Sequence, residues 1–276
     1  TQPLMITFSY DGGTTYAKAG TKKNLVIIML RGGMDGLCAI PVKGDKNFEK
    51  LRSKINLDRT LKLTSDFDLH PALKTFKNLW DENLSAAVHA TNIPYTGRSH
   101  FDGQNLMESG GKIPYQEKTG WLGRGMKTAG LTGQGLALAL PMPLLIRGVP
   151  MNNNYFPVGR SLPYPATLEL IKQAYKEHDE KLLSDNLEII LTRDFNNRSR
   201  DDAWILASSA GTELSKPDGP KVAVFEVDGF DTHAAQGATD GAHADCLSDY
   251  DNIVRSLKSS MSEEAFSNTL VLTLTE

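Results

Sequence analysis

Asp231 and His233 stand two residues apart, just after the apolar run Val222–Val227. Alternate residues of an extended segment face the same way, so this carboxylate and imidazole can converge on one ion. Mixed oxygen and nitrogen ligands suit zinc or manganese. The plainer reading is a surface loop with a capping aspartate, and Asp228 beside it reads as a turn residue. Asp35 lies one turn beyond a second apolar run, between Gly33 and Gly36. Glycines allow close approach to the backbone, and a carboxylate there is a hard oxygen ligand, or else a turn aspartate bonded to its own backbone. Glu276 follows a third run, Thr269–Thr275, as a fourth metal-ligand candidate. Its plain reading is a chain-end carboxylate.

A hydroxyl chemistry is written into the loop Pro94-Tyr95-Thr96-Gly97-Arg98-Ser99-His100. Ser99 or Thr96 beside a metal can lose its proton and attack phosphorus or sulfur. Arg98 offers forked hydrogen bonds to a tetrahedral anion, and His100 a second group to balance charge on it. The competing reading makes these hydroxyls caps of the following helix. A metal-free Ser/His/Asp triad is disfavoured because the chain has no G-x-S-x-G elbow. Among the other histidines, His70 and His89 read as packing residues, His178 as a solvated helix position, and His243 as a helix residue that could add a ligand.

The elements that must position these groups follow from hydropathy. Asn24–Leu30 is short, continuous and β-branched in its middle, as expected of a strand buried on both faces. Ser85–Ala90, Leu136–Leu140, Val222–Val227 and Thr269–Thr275 read as further strands. Helical spacing is expected over about 70–80, 101–109, 165–191, 201–215 and 243–257. Residues 41–68 read as a surface excursion with a short helix. The Gly/Pro-rich stretch 110–165 reads as an insertion or cap. Strands alternating with helices predict an α/β fold with a mostly parallel sheet covered on both faces, in one domain spanning 1–276. Ligands then sit beyond the carboxyl ends of the strands, where the polar clusters gather. No closing helix follows Glu276, so the natural protein is expected to continue past it.

Composition excludes little. The 276 residues are 40% hydrophobic and 23% charged, with 30 Lys and Arg against 33 Asp and Glu. No basic stripe interleaved with aromatics predicts a nucleic-acid partner. No apolar run reaches the length of a transmembrane helix. Cys38 and Cys246 form no CxxC pattern and read as buried, unpaired thiols, with a disulfide as the alternative if the fold brings them together.

Leu30-Arg31-Gly32-Gly33-Met34-Asp35-Gly36-Leu37, Leu69-His70-Pro71-Ala72-Leu73, Arg98-Ser99-His100-Phe101, Gly120-Trp121-Leu122-Gly123-Arg124, Phe230-Asp231-Thr232-His233 and Thr273-Leu274-Thr275-Glu276 occur in that order. Together they resemble an uncharacterised, sulfatase-like family of bacterial proteins exported with a twin-arginine signal and grouped with the alkaline-phosphatase superfamily. The resemblance spans roughly residues 24–276. It implies an alkaline-phosphatase-like fold and one or two divalent cations, zinc first, with manganese, calcium or magnesium also compatible. It further implies hydrolysis of a small phosphate or sulfate monoester, and a periplasmic or extracellular location. Asp35 resembles the superfamily's first-strand metal aspartate, Asp231 and His233 its pair at the first metal, and Ser99 its nucleophile, with Thr96 as rival. Glu276 falls where the superfamily commonly has an Asp-His pair. A further downstream Asp-His motif and the export signal itself are absent, and the chain begins at Thr1, as after processing. The alternatives are a non-catalytic exported scaffold that binds a protein partner and, more weakly, a carbohydrate-processing role.

Overall fold

The computed structural model describes residues 22–55, 57–138, 142–149, 152–154, 165–178, 181, 187 and 203–276. The chain divides into two compact units, residues 1–155 with 203–276, and residues 156–202. The second unit is described mainly by one helix, α6 (Pro165–Glu177). The expected helix beyond residue 178 falls largely outside the described residues, as do positions 139 and 140 of the expected strand at 136–140.

The first unit is built on a five-stranded sheet. β1 (Asn24–Leu30) lies at its heart, and Val26 to Leu30 are almost wholly excluded from solvent. Each such aliphatic side chain contributes about 1.5–3 kcal/mol by leaving water. β4 (Gly135–Leu138), β5 (Asn153–Asn154), β6 (Val222–Val227) and β7 (Thr269–Thr275) complete the sheet in the order β5-β4-β6-β1-β7. All four pairings are parallel; Leu25 lies opposite both Val222 and Leu270. Asn24 pins the start of β1 through its side-chain amide, which donates to the carbonyl of Leu214 and to Thr269 Oγ1. A separate two-stranded ribbon pairs β2 (Leu61–Lys62) with β3 (Asp68–Leu69).

Side chains of one strand alternate between faces. Ile27 and Met29 therefore share one face, where they cluster with Val222, Val224 and Ala137. Met107 from α4 (His100–Ser109) and Leu122 and Met126 from α5 (Trp121–Thr128) cover that face, together with the short 3-10 turn Leu144–Ile146. Helix α7 (Ala203–Leu214) touches β4 and β6, and α8 (Ala242–Ser260) packs along α7. Those two take the opposite face. The expected α/β architecture, a parallel sheet with helices on both sides, is thus present. Within the stretch read as an insertion or cap, β4 and β5 are members of the sheet itself.

The expected strand at 85–90 does not form. That segment is irregular, and its Val88 is 82% exposed. Its other apolar residues are alanines, whose burial would offset little of the entropy lost on ordering the backbone. It is tied down at separate points instead: Ser85 Oγ reaches the Phe76 carbonyl and His89 Nε2 meets the Ile40 carbonyl at 3.1 Å. Among the described residues, β7 has no strand on its outer side.

Four shorter helices complete the described part of the unit. α1 (Gly36–Ala39) and α2 (Lys46–Leu51) begin at aspartate caps, Asp35 and Asp45. α3 (Lys74–Asp81) has no side-chain cap of its own at Leu73; Asp251 of α8 supplies one, accepting from the amides of Thr75 and Phe76. The last helix, α9 (Glu263–Ser267), leads into β7. No helix among the described residues is long and apolar enough to cross a membrane.

Candidate metal centre

Parallel pairing places the carboxyl ends of β6, β1 and β7 side by side. β6 delivers Phe230, Asp231 and His233; β1 delivers the Gly32-Gly33 turn; β7 delivers Glu276. The N-terminus of α4 brings His100 to the same edge. Gly32 has φ +108°, and a Cβ there would stand 2.3 Å from the Asp231 amide nitrogen and 2.9 Å from Asp231 Cβ. Only glycine lets the two turns meet so closely.

His100, Asp231 and His233 each offer one ligand atom, all within 4.8 Å of one another. His233 Nε2 lies 2.8 Å from Asp231 Oδ1, and His100 Nε2 lies 3.4 Å from the same oxygen. Two ligands on one tetrahedral zinc ion stand about 3.3 Å apart, given bonds of about 2.0 Å. The His100–Asp231 separation already fits, and the His233–Asp231 pair would open by about half an ångström. Three protein ligands on an exposed wall is the arrangement that leaves a coordination position for substrate or water. His233 is 80% exposed at its side chain, so access is unhindered. Gly32, Gly33, Thr232 and Gln236 line the same depression.

Glu276, expected as a ligand, stands behind this wall with its side chain only 5% exposed. Its Oε1 accepts from Gly32 N at 2.7 Å, Gly33 N at 3.0 Å and Gln104 Nε2 at 3.0 Å, and lies 3.2 Å from His100 Nδ1. Its Oε2 is buried without a partner. Gln104 is oriented from its other end, where its Oε1 accepts from Arg31 Nη1 at 3.1 Å. Arg31 in turn is clasped by Glu108 and Glu226. Burial works against the Arg31 charge, but the two carboxylates outweigh it and raise its pKa. Burial also pushes the Glu226 carboxyl up, against the pull of a guanidinium it shares with Glu108.

Asp35 is engaged elsewhere. It caps α1 through the Cys38 amide, pairs with Arg52 and accepts from Gln236 Nε2 at 2.9 Å. Burial raises its carboxyl pKa, but the hydrogen bonds from Arg52 and Gln236 prevail and hold it below the usual aspartate value. The Asp35 amide donates to His243 Nε2 at 3.2 Å. A neutral His243 therefore carries its proton on Nδ1, which is buried without a partner, and burial lowers its pKa.

Ser99 is the N-cap of α4, its Oγ accepting from the Asp102 amide at 3.3 Å. Thr96 and Arg98 lie exposed in the preceding loop. Neither they nor Ser99 line the depression that holds His100, Asp231 and His233. His100, expected to balance charge on the substrate, lies among the candidate ligand atoms. One contributor, Gln104, escapes the sequence reading, although its i+4 spacing from His100 puts both on one helix face. Comparison with models of protein families, with curated proteins and with solved structures returns no match to this chain.

Proposed function

We propose that the chain is a metal-dependent hydrolase of phosphate or sulfate monoesters, working at a divalent cation held by His100, Asp231 and His233. One observation carries the reading: ligand atoms from two distant chain segments meet within 4.8 Å at the carboxyl edge of a parallel sheet. Two imidazoles and one carboxylate favour zinc, with manganese next. An ion held there supplies Lewis acidity toward an ester oxygen and lowers the pKa of water. The open wall admits a small ester to the ion, and the Gly32-Gly33 turn lets it approach without a side chain in the way. Water is the favoured attacking group, because Ser99 does not line the depression that holds the three ligand atoms; the Ser99 hydroxyl is the rival. The ordered motifs quoted above support membership of the exported, sulfatase-like family, with an alkaline-phosphatase-like fold and a periplasmic or extracellular setting.

The test pairs binding with turnover. Zinc should bind the chain at one ion per molecule in calorimetry, and zinc-loaded protein should hydrolyse a nitrophenyl phosphate or sulfate. His233→Ala should lose both. Stoichiometric binding without turnover on either ester would remove the hydrolase and keep the metal site; no binding would remove both.

A second reading, a non-catalytic exported scaffold, is favoured by Asp35. Its carboxylate is taken up by Arg52, Gln236 and the Cys38 amide, so it does not join the three ligands. A protein partner that binds equally well with and without metal would support that reading.

A further inference from the structure

We propose that Glu276 is a positioning residue for the metal centre and not one of its ligands: it fixes His100 in the tautomer that bares Nε2 toward Asp231. The inference rests on the metal reading above and goes beyond it by assigning the support behind the ligands.

Glu276 Oε1 lies 3.2 Å from His100 Nδ1, and Nε2 of the same ring lies 3.4 Å from Asp231 Oδ1. A carboxylate oxygen that already gathers three N–H donors is an acceptor site, so the ring nitrogen facing it carries the proton. The proton on Nδ1 leaves the Nε2 lone pair free on the side where Asp231 and His233 stand. Carboxylate, histidine and cation in line is the arrangement by which a hydrogen bond behind an imidazole sets its tautomer and raises its basicity.

The carboxylate is itself held from two directions. The amides of Gly32 and Gly33 grip Oε1 from β1, with both glycines at positive φ, +108° and +69°. Gln104 grips it from α4, and the amide can point only one way, since its own oxygen accepts from Arg31. Arg31 is immobilised between Glu108 and Glu226, and Glu108 Oε2 also accepts the Leu145 amide at 2.8 Å. A continuous series of hydrogen bonds therefore runs from the buried sheet face to the exposed ligand wall. Its last link faces His100 and stops short of the depression, whose lining does not include Glu276.

The experiment uses the 276-residue chain labelled with 15N at histidine, free of metal, alongside calorimetric titration with zinc chloride. Long-range 15N–1H spectra should show His100 protonated at Nδ1 alone. In Glu276→Ala the ring should become a tautomer mixture and zinc affinity should fall about 10- to 100-fold. Gln104→Ala should move both readouts the same way by less. Glu276→Gln keeps an acceptor oxygen in place and should restore the tautomer. Wild-type zinc affinity in Glu276→Ala would overturn the inference alone and leave the metal site standing. Two ions in the wild type and one in Glu276→Ala would overturn it by making Glu276 a ligand. Absence of zinc binding in the wild type would remove the metal reading and this inference with it.

Discussion

At the scale of single residues, burial sets the titration of several groups in the first unit. Cys38 is the clearest. Burial, with the nearby Asp35 charge, pushes its thiol from 9.0 up to about 11. A raised acid favours the folded state only while protonated: the unfolded chain releases its proton first, near pH 9, and stability then falls until the folded thiol also ionises near pH 11. Two pH units correspond to roughly 2 to 3 kcal/mol. Burial raises Tyr250 too, so it steepens the same alkaline limb. Urea midpoints measured from pH 8 to 11 should fall in the wild type and fall less in Cys38→Ala; parallel curves would refute the assignment. His243 acts at the other end. Its lowered pKa means that the unfolded chain binds the proton first as pH drops below the ordinary histidine value, so stability declines with acidification through that window.

Secondary-structure elements show why some of this was legible and some was not. β1, β6 and β7 announce themselves as continuous apolar runs, and each leads directly into a polar cluster, so their convergence at one sheet edge followed from parallel pairing alone. Ser85–Ala90 looked similar in sequence but lacks the large side chains that make burial worthwhile, and it stays irregular. The candidate ligands Asp231 and His233 were visible from alternation. His100 was seen but placed in another role, because nothing local brings residue 100 beside residue 231; only the packing of α4 against the sheet does. The same dependence on distant chain governs α3, whose first amides rely on Asp251 of α8, a residue with only 6% exposure. Asp251→Ala would leave those donors unsatisfied and should cost about 2 to 3 kcal/mol in denaturant unfolding. Asp251→Asn, which keeps an acceptor, should recover part of it; a loss below about 1 kcal/mol for the alanine variant would show that water replaces the cap. Ser99→Ala at the start of α4 should cost about 1 kcal/mol by the same logic. Its zinc affinity should stay near the wild-type value if Ser99 is a cap, and full retention of turnover would exclude its hydroxyl as the attacking group.

On the scale of the whole molecule, a cation that binds only the folded chain must stabilise all of it. At free zinc about 100-fold above the dissociation constant the gain is about 2.7 kcal/mol. For a unit of this size that is a rise of roughly 5 to 10 °C in Tm. The rise should vanish on adding a chelator and should be missing in His100→Ala; an equal rise in that variant would place the ion elsewhere.

The central strand carries one more consequence, for synthesis. Both neighbours of β1 come from late in the chain: Leu25 is matched with Val222 on one side and Leu270 on the other. A nascent chain therefore holds this apolar strand without either neighbour until almost 200 further residues have been made. At about 5–20 residues per second that is a wait on the order of ten seconds or more. Closing loops of that length comes at an entropic cost before any pairing rewards it. Asn24–Leu30 is thus the stretch on which holding chaperones would act, and interrupted synthesis would leave it open to aggregation.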